Sequence, residues 1–278
     1  MPSARRPLRH GGFVAGAVLV TLFAAASLLA PVLAPEDPHV VAAGGGATLE
    51  RPTPSHPLGT DALGRDVLSR VLWAGRVSLA VGVGVEAVVV VLGCTIGLLA
   101  GYFGGAVDAA LMRVTDVVMA FPSLVLAIGL IAVFEQPGLD KVFVVLVALG
   151  WTTIARVVRG EVLSLKARDF VQAAKALGGG HRAIMLRHLL PNAVAPLLVA
   201  ATIGVGGNMV AEAGLSFLGL GAQSPTISWG AMLADGQTFL ATAPWVAVFP
   251  GASLLLAVLG VNLLGDGLRD LLDPRLRA

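Results

Sequence analysis

Six stretches of the chain, 13–33, 77–100, 115–134, 142–158, 194–213 and 244–264, are predominantly apolar over about 17 to 25 residues each. Backbone amides carried into hydrocarbon must be hydrogen-bonded within the segment itself, so runs of this length predict transmembrane helices. A transmembrane barrel would alternate polarity over segments of about 10 residues, and unbroken apolar runs such as 87–92 do not. The whole chain suits lipid as its solvent: 56% of its 278 residues are hydrophobic and 13% are charged, against about 25% charged in soluble domains. Its 35 glycines and 5% aromatic content leave small-residue surfaces on which helices can approach closely. The expectation is an all-α membrane protein with six transmembrane helices.

Arg5, Arg6 and Arg9 precede the first run, a pattern shared with signal peptides. The run is longer than the usual apolar core of about 7 to 15 residues, and Pro35 follows the small residue Ala34 where cleavage would fall. It reads as a retained first span. Six spans put both termini on one side, and that side collects fourteen of the 19 Lys and Arg residues. The other five, Arg51, Arg65, Arg70, Arg76 and Lys141, fall opposite, so the positive-inside rule predicts cytoplasmic termini. With the basic residues placed by topology in this way, the net charge of +2 implies no nucleic-acid partner. Cys94, the single cysteine, permits no intrachain disulfide and reads as a small buried hydrophobe.

Two segments outside the spans are long, an external one at 35–76 and a cytoplasmic one at 159–192. They divide the chain into 1–76, a span plus an extracytoplasmic loop, and 77–278, a core that includes the cytoplasmic loop. In the external segment a Pro- and Gly-rich coil at 35–57 is expected to be extended or mobile. After Thr60 or Asp61 as a helix cap, Leu63, Val67, Leu68, Val71 and Leu72 form one apolar face with Arg65, Asp66, Ser69 and Arg70 opposite. This predicts an amphipathic helix lying in the membrane interface before the second span.

The cytoplasmic loop is the most basic part of the chain. Phe170, Ala173, Ala174 and Leu177 share one helical face at i, i+3, i+4 and i+7, with Arg168, Gln172 and Lys175 largely outside it. Gly178, Gly179 and Gly180 break the helix, and a second short helix with Ile184 and Leu190 follows, which Pro191 either stops or joins to the next span. The predicted product is a helix, an elbow and a helix at the membrane surface, presenting a partly alanine ridge small enough to enter a groove on another protein.

Charged residues at membrane depth cost about 2.5 to 3.5 kcal/mol each on insertion scales, which singles out Glu86 and Glu212 as candidate pathway residues. Glu86, about ten residues into the second span, could attract a cationic substrate or a proton, or pair with a polar group of a partner subunit. Glu212 lies nearer the outer end of the fifth span, where a structural or gating role is expected. Asp108, Arg113 and Asp116 are expected to form a local ion pair through Arg113 and Asp116 at i, i+3. Phe121-Pro122 predicts a kink in the third span.

The loop resembles that of binding-protein-dependent ABC importer permeases, whose pattern reads Glu-Ala-Ala, three residues, Gly, nine residues, Ile, one residue, Leu-Pro. Ala173, Ala174, Gly178, Leu190 and Pro191 match in register, while Gln172 stands for the glutamate and His188 for the isoleucine. Further segments resemble the dipeptide, oligopeptide and nickel branch, and within it the C-type permease subunit. These are 56–61 and 64–70 around Gly59 and Arg65, 111–113 with Asp116, 120–122, 212–221 and 273–277.

The resemblance implies a type I importer permease of the bacterial inner membrane, with six helices, paired with a homologous B-type permease. It would be fed by an extracytoplasmic substrate-binding protein and energised by cytoplasmic ABC ATPase subunits. Phe170, Gln172, Ala173, Ala174, Leu177, Gly178, Leu190 and Pro191 would then form the ATPase-coupling surface. With Gln172 in place of an acid, the contact is expected to rest on packing and neutral hydrogen bonds, and bulk at Ala174 is expected to block ATPase assembly. The three lysines follow Asp140, Leu165 and Ala174, so the chain has no Gly-Lys pair and builds no phosphate-binding loop. ATP and its magnesium would sit on the partner ATPase, with no cofactor on this chain. No Cys/His cluster offers metal-ligand spacing within a span, and no catalytic triad is apparent. Di- and oligopeptides lead as substrate, ahead of nickel or another small solute. A self-sufficient ion-driven transporter would more often show inverted repeats, which these spans lack.

Overall fold

A computed structural model describes residues 11–41 and 48–272. The Arg5, Arg6 and Arg9 cluster and the 273–277 motif lie outside the described residues. The first span is α1 (Gly11–Leu28), extended by the single turn α2 (Ala30–Leu33). The second is α3 (Val67–Phe103), 37 residues without a break. A reversal at Gly104, with φ +68°, leads into α4 (Gly105–Met119), which meets α5 (Ser123–Ile131) at an angle of 85°. Then come α6 (Leu139–Leu165) and the loop helix α7 (Asp169–Ala176). The fifth span is α8 (His181–Ala183), a π turn (Ile184–Leu189) and α9 (Leu190–Phe217), which form one continuous rod. A short α10 (Trp229–Gly236) and the last span α11 (Trp245–Leu272) complete the chain. Among the described residues five helices are individually long and apolar enough to cross a membrane, and the bent α4–α5 pair, taken as one span, brings the number to six.

The expected kink at Phe121-Pro122 is thus nearly a right angle. Proline offers no N–H and disfavours the helical region for the residue before it, so α4 stops and α5 starts afresh. At about 1.5 Å per residue neither piece alone spans a hydrocarbon core of about 30 Å. Together they leave a bend inside the bundle.

Close approach of α3 and α6 rests on one stripe. Gly93, Gly97 and Gly101 repeat every four residues on α3, and a Cβ at any of them would collide with Ile154, Val158 or Val162 and with the α6 backbone. This is the small-xxx-small device of membrane helices, where packing replaces the hydrophobic effect between helices. Gly97→Val is expected to force the two spans apart and destabilise the protein by about 1–3 kcal/mol, read as a lower melting temperature in detergent, whereas Val at the open Gly160 should change little. Equal melting of the two variants would refute the stripe's role. The α1–α11 contact uses the same chemistry, with Gly16, Gly260 and Gly267 pressed on the facing helix.

The 35–76 segment differs from its sequence reading in three ways. First, the helix cap is Asp66, whose carboxylate accepts from the Ser69 amide and hydroxyl, both at 2.7 Å, while Asp61 lies in the preceding turn. Second, the amphipathic helix is the opening of α3 itself. Its polar side, Ser69 and Arg70, turns inward because Asp61 and Asp235 wait there to neutralise the guanidinium. Residue 76 therefore lies inside a continuous helix. Third, 48–60 is tied down. Leu49 N–H donates to the Asp61 carbonyl, Thr60 N–H to the Glu50 carbonyl, and His56 lies 3.4 Å from both Glu36 and Glu50.

Sequence reasoning missed α10. It is short and of mixed polarity, yet Trp229 at its start is fully buried, donating its indole N–H to the Val71 carbonyl at 3.0 Å and meeting Phe23 edge-on. Gly230 and Gly236 let it press against Ala213 and Ala247. It joins α3, α9 and α11 at the end of the bundle opposite the 166–180 loop.

Candidate functional site

The loop is built to hold one face outward. Arg168 sits in extended geometry and its carbonyl accepts from the amides of Val171 and Gln172, starting α7. The helix closes in a Schellman motif: Gly178 adopts φ +80°, its amide donates to the Lys175 carbonyl, and the Gly179 amide donates to the Ala174 carbonyl. Only a residue tolerant of left-handed geometry closes it this way, which gives Gly178 a backbone role. Val171 is buried beneath the helix together with Ile184 and Leu189. Above it Phe170 is 43% exposed and Leu177 is 89% exposed. Ala173 is exposed beside them and Ala174 is half-buried.

Strong anchors fix this ridge to the ends of α3 and α6. The Lys166 ammonium donates to the Gly101 carbonyl at 2.9 Å, and the Tyr102 hydroxyl lies 2.8 Å from His181 Nδ1. The Lys175 ammonium rests 5.5 Å from the centre of the Tyr102 ring. Tyr102 was not singled out from sequence, yet it is the only tyrosine in the chain and ends a long apolar run, where amphipathic rings concentrate. Gln172 donates from Nε2 to the Lys166 carbonyl at 2.7 Å, so its amide is used within the chain. Leu190 packs half-buried against the core, and Pro191 is the second residue of α9. The second loop helix is therefore no separate element. The rod widens to π geometry just before Pro191, whose ring cannot enter a regular helical ladder. The exposed ridge comprises Phe170, Ala173 and Leu177, with Leu190 and Pro191 set apart from it.

The ion pairs of this region bridge helices. Arg156 donates to Asp116 at 2.6 Å, and Arg159 holds Asp108 through both Nε and Nη2. Asp116 therefore does not pair with Arg113, which is exposed. The acids of α4 face α6, where two arginines one turn apart receive them.

Between α3, the α4–α5 bend, α6 and α9 lies a cavity of about 790 Å³. Among the described residues Glu86 is the only charged one on its wall, beside polar neighbours that include Ser123, Thr152, Thr153 and Asn208. The Glu86 side chain is 5% exposed, and its Oε2 accepts from Asn208 Nδ2 at 2.9 Å. Gly204 faces the carboxylate at a distance that admits no side chain. Glu212 lies elsewhere. Fully buried, it accepts from Ser216 Oγ at 2.7 Å and from Ser78 Oγ at 3.2 Å, and those hydroxyls accept in turn from the amides of Ala222 and Trp229. It locks α3, α9 and α10 together and takes no part in the cavity wall. Among the described residues no three His, Cys, Asp or Glu side chains converge to hold a metal ion.

Residues 93–278 match the family described as binding-protein-dependent transport system inner membrane component. The chain is 39% identical to the dipeptide transport system permease protein DppC of Alkalihalophilus pseudofirmus, over 95% of this chain and 86% of that protein. It is 41% identical to the glutathione transport system permease protein GsiD of Pectobacterium atrosepticum, over 99% and 90%. It is 38% identical to the probable D,D-dipeptide transport system permease protein DdpC of Escherichia coli K12, over 94% and 87%.

Proposed function

Because the chain belongs to the binding-protein-dependent transport system inner membrane components, we propose that it forms half of the translocation pathway of an ATP-driven di- or oligopeptide importer. It is a multi-pass protein of the bacterial inner membrane and the permease of an ABC system. In this reading a homologous B-type permease supplies the other half of the pathway, a substrate-binding protein delivers the solute from outside, and this chain catalyses nothing. ATP and magnesium belong to separate cytoplasmic ATPase subunits, and this chain carries no cofactor. Both termini and the 166–180 loop face the cytoplasm. The peptide substrate is supported by the names of the relatives, dipeptide and glutathione permeases among them.

The observation that carries the reading is the exposed ridge of Phe170, Ala173 and Leu177 on a helix whose underside is bolted down. An apolar ridge left in water beside well-made anchors has the form of a helix-in-groove contact. ATPase closure would move α7 as a rigid body. Lys166–Gly101 and Tyr102–His181 would pass that motion to α3, and the π turn would pass it to α9. The cavity lies between those helices, so their movement would alter access to it. Gln172 contributes a neutral hydrogen bond inside the loop, and the ridge supplies the contact.

Proteoliposomes holding both permeases and the ATPases, supplied with binding protein, test this. Uptake of a labelled dipeptide is expected to require ATP and all four components and to survive collapse of ion gradients. Uptake that ignores ATP and stops when the gradients collapse would overturn the reading in favour of an ion-driven transporter.

A further inference from the structure

The chain contains two carboxylates at membrane depth and treats them differently. Glu212 receives a serine hydroxyl on each oxygen. Glu86 receives a single donor, Asn208, on Oε2, and its Oε1 is buried without a hydrogen-bond partner among the described residues. An unmet carboxylate oxygen in a low-dielectric setting is expensive, so Glu86 is the less satisfied of the two acids and gains most from a further donor. Glu86 is on the wall of the 790 Å³ cavity, whose volume is within the range of about 300–1,000 Å³ typical of small-molecule sites. Gly204 packs directly against the carboxylate, while Gly207, on the same wall, has open space where its side chain would be.

We propose that Glu86 receives a cationic group of the transported solute, the free ammonium of a peptide N terminus, with Asn208 holding the carboxylate in place. This rests on the peptide-importer reading and names the feature of the peptide that the membrane cavity recognises. An ammonium brings three donors to the carboxylate, and the apolar part of the wall, with Leu146 and Ile203, suits side chains of varied shape. A lone carboxylate with no other acid nearby suits an ammonium better than a bare metal ion, which demands several ligands.

The test uses the assembled transporter with Cys94→Ala and Gly207→Cys, which places a single thiol of this chain in the cavity. Its modification by methanethiosulfonate ethylammonium and methanethiosulfonate ethylsulfonate is compared with Glu86 intact and with Glu86→Gln. The cationic reagent is expected to react about tenfold faster relative to the anionic one when Glu86 is present, with the preference lost in Glu86→Gln. A free-amine dipeptide presented by the binding protein should slow the cationic reagent. No cation preference with Glu86 present, or one that survives Glu86→Gln, overturns the proposal. So does failure of both reagents to reach the thiol.

Uptake of the dipeptide at saturating binding protein should fall about tenfold in Glu86→Gln, since one lost ionic contact is worth about that factor. If Glu86→Gln instead dissociates the second permease, the cation belongs to that subunit and the proposal is wrong. Glutamine keeps the shape and hydrogen-bonding capacity of the side chain without its charge, so unchanged uptake would show that the charge is dispensable and overturn the proposal. If the unmodified transporter imports no peptide with ATP, the importer reading fails, and the reagent comparison still reports on Glu86.

Discussion

Leu177→Asp is expected to strip the ATPase subunits from the purified transporter while leaving the melting temperature of this chain unchanged. Leu177 is 89% exposed, so its removal breaks nothing inside the protein. Burial of a leucine side chain in a partner's groove is worth about 1.5–3 kcal/mol, and an aspartate would add an unpaired carboxylate to an apolar contact. A central residue of a helix-in-groove contact loses about 2 kcal/mol or more on such a change, about thirtyfold in Kd. Co-purification of ATPase and ATP-driven uptake should both collapse, and Phe170→Ala should follow in the same direction with a smaller effect. Ala173→Trp is the steric version of the experiment, because Ala173 is exposed. Ala174 is half-buried against its own chain, so bulk there also disturbs the loop. Wild-type ATPase retention in Leu177→Asp and Ala173→Trp together would remove the ridge from the interface.

Residue patterns whose meaning is local were legible in the sequence. Length and hydropathy alone place the spans, because lipid leaves the backbone no alternative to helix. Pro122 marks the break since its missing N–H acts at that very point, and the face at Phe170, Ala173 and Leu177 follows from helical period. Patterns whose meaning depends on a distant partner were not. Asp61 and Asp66 are equally good caps on paper, and the choice falls to Asp66 because Arg65 and Arg70 engage the Asp61 carboxylate. Arg70 reads as the wet side of an amphipathic helix until α10, far along the chain, brings Asp235 to it. The same holds for Asp108 and Asp116, whose arginines come from α6 rather than from the next turn. Glu86 and Glu212 are both acids in apolar runs, and only their donors separate a cavity residue from a structural lock.

Asp61→Ala is expected to cause the greatest loss of stability of any single change in the 48–76 region. Asp61 Oδ1 accepts from the amides of Leu63 and Arg65 at 2.8 and 3.0 Å, and Oδ2 accepts from Arg65 Nε and Arg70 Nη1 at 2.7 and 2.6 Å. Arg70 is 4% exposed, so removing Asp61 strands a buried guanidinium with only the more exposed Asp235 to answer it. Breaking a buried pair from one side costs about 3–5 kcal/mol, largely because the surviving charge keeps its desolvation penalty. Asp61→Asn retains an acceptor for the two amides and loses the charge, so its cost should be smaller. Asp235→Asn should cost about 1 kcal/mol or less, because that carboxylate is half-exposed and solvent already screens it. Thermal unfolding in detergent should therefore rank the variants Asp61→Ala, Asp61→Asn, Asp235→Asn, in order of decreasing damage. If Asp235→Asn proves as harmful as Asp61→Ala, the tie between α3 and α10, rather than the turn around Asp61, carries the energy.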